Sequence, residues 1–155
     1  MAQLDAIPHP ADIVLIVDDE PAVRTLLERL VRAASDFHPI AIATGTEGYL
    51  RLTQLRDRVA LLLLDVTMDG LDGFAFREMQ LEGPAAEVPT VVLSGRCLEE
   101  EELERLQPAA ALLKPITLAA FRHCIACHAR RPASVEEPAS SAPDRSQGEA
   151  SLAHL

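Results

Sequence analysis

With 155 residues, 48% of them hydrophobic and 25% charged, the chain can bury one sizeable core. Its formal net charge of -10 excludes the basic face that nucleic-acid binding requires. No apolar run reaches the roughly 18 residues that span a bilayer, and Met1–Pro10 lacks a signal peptide's basic start and apolar segment. A cytoplasmic protein is therefore expected, with its three cysteines as reduced thiols.

Residues 1–11, with Pro8 and Pro10, read as a flexible leader. Ile13–Val17 is an apolar run of strand type, followed by Asp18 and Asp19. Pro21 suits a first helical turn behind an Asp cap. Val23, Leu26, Leu27, Leu30, Val31 and Ala34 then recur at helical spacing. Ile40–Ala43 reads as a short strand, and Thr46–Leu55 as a helix weakened by Gly48. Val59–Leu64 holds four consecutive leucines, the mark of a strand buried on both faces, and it delivers Asp65 at its tip. Asp69–Gly73 is a loop by its turn residues, Phe74–Leu81 a short helix, and Pro89–Leu93 a fourth strand stopping at Ser94-Gly95. Glu99–Glu102 reads as a solvated first helical turn, with Pro108 closing that helix. Ala109–Leu113 is a fifth strand running into Lys114-Pro115. Thr117 can cap a last helix with Leu118, Phe121, Cys124 and Ile125 on its inner side. Residues 131–155, rich in Pro, Ser, Ala and Glu, read as a disordered tail.

Five strands alternating with helices predict an α/β domain over residues 12–130, a parallel sheet with helices on both faces. In such a sheet the chemistry lies at the C-terminal ends of the strands. That edge carries Asp18, Asp19, Asp65, Ser94 and Lys114. Three neighbouring carboxylates cannot all stay charged without a cation or a raised pKa. A hard divalent ion such as Mg²⁺ answers this, and it suits a phosphate ligand. A carboxylate can itself attack a phosphoryl group, with a lysine and a hydroxyl to hold the phosphoryl oxygens.

These residues resemble the response-regulator receiver domain of two-component signalling. The motifs are Val17-Asp18-Asp19-Glu20-Pro21, Leu64-Asp65-Val66-Thr67-Met68 with Leu71-Asp72-Gly73, Leu93-Ser94-Gly95 and Lys114-Pro115. The resemblance implies a flavodoxin-like doubly wound sheet in the order 2-1-3-4-5. It implies that Asp65 is the phosphoacceptor, supplied by a histidine kinase or a histidine phosphotransfer protein. Asp19 would bind Mg²⁺ directly, Asp18 through water, and Thr67 by its backbone carbonyl. Ser94 would be the switch hydroxyl, and Lys114 the phosphate partner preceding a cis proline. A stand-alone receiver that signals by protein contacts is expected, since nothing after residue 130 is long or basic enough for a DNA-binding module. Phosphoryl acceptance at one Asp is self-catalysed and does not make the chain an enzyme.

The chain departs from the family pattern in places. Asp69 replaces the usual proline four residues after the acceptor, so a looser turn is expected. Ala111 replaces the aromatic that moves with the hydroxyl, which puts the usual coupling in question. The fourth helix is expected to be short or displaced, and Arg96 is placed to lean over the phosphoryl group. The alternative reading is a degenerate receiver, a binding module independent of phosphorylation. Cys124-Ile125-Ala126-Cys127-His128 matches the c-type haem pattern and offers a helical metal triad, but helix packing is the preferred account.

Overall fold

Continuous apolar runs alternating with helical stretches give ten elements. The computed structural model of the protein describes residues 11–130. The strands are β1 (Ile13–Val17), β2 (His38–Ile42), β3 (Val59–Asp65), β4 (Thr90–Ser94) and β5 (Ala110–Leu113). The helices are α1 (Pro21–Ala34), α2 (Gly45–Leu55), α3 (Gly73–Glu82), α4 (Glu100–Leu106) and α5 (Leu118–His128). All strand pairings are parallel, in the order β2-β1-β3-β4-β5. The expected tail, and the leader apart from Ala11, lie outside the described residues.

Alternating side chains of the central strands fill two cores. Val14, Ile16, Leu61, Leu63, Val91 and Leu93 face one side, against Leu27, Leu30 and Val31 of α1 and Phe121, Cys124 and Ile125 of α5. Ile13, Leu15, Val17, Leu62 and Leu64 face the other, against Leu52 of α2 and Phe76 of α3. A smaller cluster of Val66, Val92 and Leu106 seats α4. Every residue of β3 is buried. Each of its leucines contributes about 2 kcal/mol of transfer free energy, which fixes the register of the central strand.

Local chemistry sets the helix starts. Thr44 accepts from the Glu47 amide at 3.3 Å, Asp72 from Ala75 at 2.9 Å and Thr117 from Ala120 at 3.2 Å. The expected Asp cap on α1 is corrected: Glu20 is the cap residue and caps with no side-chain bond. The preceding carboxylate is needed elsewhere. Leu118, expected on the inner side of α5, is 38% exposed, and its neighbours in the first turn are open to solvent as well. The short fourth helix is seven residues long, as the sequence led one to expect.

Candidate functional site

The parallel register brings the strand tips together. Val17 pairs with Leu64 and Asp65 with Leu93, so Asp18 follows β1 at the level of Asp65. The Lys114 amide donates to the Ser94 carbonyl at 2.8 Å, which brings the lysine stem to the same rim. The Lys114-Pro115 bond is cis.

Asp18 and Asp65 are buried, and the Lys114 ammonium lies 2.9 Å from Asp18 Oδ2 and 3.3 Å from Asp65 Oδ1. It also lies 3.4 Å from Glu20 Oε1. The Glu20 amide donates to Asp18 Oδ1 at 2.9 Å, and the Thr67 amide to Asp65 Oδ1 at 3.3 Å. Asp19, half-buried, accepts from the Asp69 amide at 3.2 Å. Asp69 itself is exposed at the rim, and its turn is tied to Asp19 through that amide. One carboxylate oxygen from each of Asp18, Asp19, Glu20 and Asp65 lies within 4.8 Å of the others.

The site is short of donors. Asp65 Oδ2 is buried without a hydrogen bond, and Asp18 Oδ2 touches the ammonium without hydrogen-bond alignment. Burial, and then the Asp18 charge, raise the Asp65 pKa to about 6, against the opposing pull of Lys114 and the Thr67 amide. Burial acts to lower the Lys114 pKa, but the bonds and charges of Asp18 and Asp65 outweigh it, so the ammonium is held more firmly.

Ser94 is buried at the tip of β4, and its hydroxyl donates to the Arg96 carbonyl at 2.7 Å. Arg96 does not lean over the acids. Its guanidinium is bidentate to Glu102, at 2.9 and 2.5 Å, and that ion pair draws it toward α4. Arg96 and the Glu99 amide hold the Glu102 carboxyl down at about 2. Ala111 is exposed on β5.

The sequence reading missed two contributors. Glu20 joins the acid cluster, and Arg24 donates to the Asp18 carbonyl at 2.8 Å. The run Asp18-Asp19-Glu20 carried the signal for the first, and the i+4 spacing from Glu20 to Arg24 the signal for the second. The helical cysteine triad does not assemble. Cys124 is buried with its thiol pushed up to about 11 by burial, whereas exposed Cys127 sits 3.6 Å from His123 Nε2. Met68 and Phe76 pack in the core, and Phe74 lies against the α4 cluster.

Residues 14–126 match the model of the response regulator receiver domain. The chain belongs to that family. It is 31% identical over 146 residues to the positive alginate biosynthesis regulatory protein of Pseudomonas aeruginosa, covering 92% of this chain and 56% of that one. It is 35% identical over 118 residues to the Arabidopsis thaliana two-component response regulator ARR7, covering 68% and 57%. The chain thus spans about half the length, or less, of the curated relatives it matches. A response regulator receiver protein from Pseudomonas putida shares the fold, with a TM-score of 0.68 at 22% identity, covering 76% of this chain and 98% of that one. So does the receiver domain of a Pseudomonas aeruginosa sensor histidine kinase, with a TM-score of 0.64 at 23% identity over 74% and 94% of the two chains. That structure is described with a magnesium ion coordinated in its active site cleft. Among the described residues no helix is long and apolar enough to cross a membrane.

Proposed function

We propose that this receiver domain accepts a phosphoryl group on Asp65, from a histidine kinase or a histidine phosphotransfer protein, in a Mg²⁺-dependent reaction. One observation carries the reading: Asp65 Oδ2 is buried and unpartnered beside three other carboxylates. A buried anion without a donor is costly unless a cation or a reacting group completes it. The donor set is all oxygen, which suits a hard divalent ion. Asp19, Asp65 and the Thr67 carbonyl are the direct ligands in this reading, with Asp18 acting through water. The ion would neutralise charge on the acids and on the phosphoryl oxygens.

The chain's own groups do the rest. An ionised Asp65 oxygen attacks phosphorus. The phosphorus–nitrogen bond to the donor histidine breaks as the new phosphorus–oxygen bond forms, and the imidazole keeps the electron pair. Lys114, already between Asp18 and Asp65, supplies positive charge to the phosphoryl group. Ser94 supplies a hydrogen bond after turning from the Arg96 carbonyl. The signal passes to a protein partner over α4, β5 and α5, where Leu103, Leu113 and Leu118 are exposed.

Incubation with acetyl phosphate and Mg²⁺, followed by intact-mass measurement, tests this. Wild type should gain one phosphoryl group, and neither Asp65→Asn nor the chelator-treated protein should. Equal behaviour of wild type and Asp65→Asn sinks the reading in favour of a phosphorylation-independent binding module. Asp19→Ala should weaken Mg²⁺ binding more than Asp18→Ala in a calorimetric titration; equal losses would count against the ligand assignment.

A further inference from the structure

Helix α4 is held differently at its two ends. At its C-terminal end the buried Arg77 donates from Nε to the Leu106 carbonyl at 2.8 Å and from a guanidinium nitrogen to the Gln107 carbonyl at 2.7 Å. Its remaining nitrogen reaches Gln80 Oε1 at 2.8 Å and Thr90 Oγ1 at 3.2 Å. At the N-terminal end the hold pairs an exposed arginine with a half-buried glutamate. Glu102 accepts from the Glu99 amide at 2.9 Å and from Arg96, whose side chain is 61% exposed. Arg96 is also the backbone partner of Ser94: its carbonyl accepts the hydroxyl proton, and its amide donates back to Ser94 Oγ at 3.2 Å. Ser94, Arg96 and Glu102 therefore connect the tip of β4 to the first turn of α4.

We propose that Arg96 and Glu102 are positioning residues for Ser94, holding its hydroxyl toward the Arg96 carbonyl and passing its movement to α4, which swings about the end fixed by Arg77. This rests on the reading of Asp65 as phosphoacceptor. A phosphoryl group there gives the Ser94 hydroxyl a charged acceptor. The hydroxyl has one proton, so the new bond is made only by giving up the Arg96 carbonyl. The freed peptide turns, and the guanidinium turns with it. A partly exposed ion pair is a weaker restraint than a buried guanidinium with four acceptors. The helix therefore yields at its N-terminal end. β5 offers no competing route, because the exposed Ala111 carries only a methyl group.

Amide hydrogen exchange separates the two ends. The Leu103 amide donates to the Glu99 carbonyl at 3.0 Å, and the Gln107 amide to the Leu103 carbonyl at 2.9 Å. With Mg²⁺ and beryllofluoride, a phosphoryl analogue, wild-type exchange should quicken severalfold at Leu103 and hold steady at Gln107. Arg96→Ala and Glu102→Gln should exchange quickly at Leu103 without the analogue and bind it about 3–10-fold more tightly, since no clamp has to open first. Ser94→Ala should bind it with no response at Leu103. Variants with wild-type affinity and a wild-type Leu103 response overturn the proposal and leave the Asp65 reading standing. A wild type that binds no analogue overturns both.

Discussion

The rim of the sheet and the inner side of α3 both bury charge, and they resolve it in opposite ways. Beneath α3, Arg77 is 5% exposed, has no carboxylate partner among the described residues, and still places every arm on an oxygen. Gln80 bridges it to the Ala85 and Val88 carbonyls and to Thr90. At the rim, Asp18 and Asp65 are as deeply buried, but among the described residues Asp65 Oδ2 has no hydrogen-bond donor and Asp18 Oδ2 has only the unaligned Lys114 ammonium. A buried network with every partner supplied is structural, while one left short of donors is built to receive something.

Substitutions sharpen that contrast. Arg77→Met preserves bulk but orphans the Leu106 and Gln107 carbonyls, and it should cost about 3 kcal/mol or more of folding free energy, with or without Mg²⁺. Urea denaturation reads this; a small loss would mean that water replaces the guanidinium.

Lys114→Met removes the cation touching Asp18 and Asp65. Without divalent ion at pH 7 it should cost about 2 kcal/mol, and added Mg²⁺ should restore most of that. The same melts with and without chelator decide.

Asp65→Asn should stabilise the ion-free protein at pH 7 by about 1–2 kcal/mol, because it relieves a desolvated, repelled charge. The sign follows from a folded pKa of about 6 against an ordinary 3.8. Between those values the folded state holds a proton that the unfolded chain has released, so wild-type stability falls as pH rises through the window and is flat above it. Asp65→Asn should lack that slope, and melts across the window show whether it does.

The smallest effect belongs to Asp12, whose carboxyl Arg58 holds below its usual range in a bidentate surface pair. Asp12→Asn should barely move the melting temperature, and salt should erase the remainder.

The sheet was legible because its central strands are unbroken apolar runs, and the site was legible because acids, a hydroxyl and a lysine end them. Boundaries failed where a polar or cyclic residue performs an unexpected task. Pro39 hid the start of β2, yet that strand lies at the sheet edge, where a missing N–H is tolerated. An Asp was expected to cap α1, but the Asp18 carboxylate meets Lys114 and the Glu20 amide, and Asp19 accepts from the Asp69 amide. The Arg77 network went unread because Arg and Gln on a short helix suggest solvent. Its clue was positional: Gly73, Phe76, Arg77 and Gln80 follow the helical stripe that faces the core. The route of Arg96 to Glu102 needed a loop conformation that spacing alone does not supply.

The most direct measurement is the Mg²⁺ dependence of the melting temperature at neutral pH, in wild type and Asp65→Asn. The acid-rim account predicts a wild type that gains stability steadily with Mg²⁺, and a variant that starts higher and gains little. A wild type whose melting temperature ignores Mg²⁺, or a variant that responds as strongly, would contradict it.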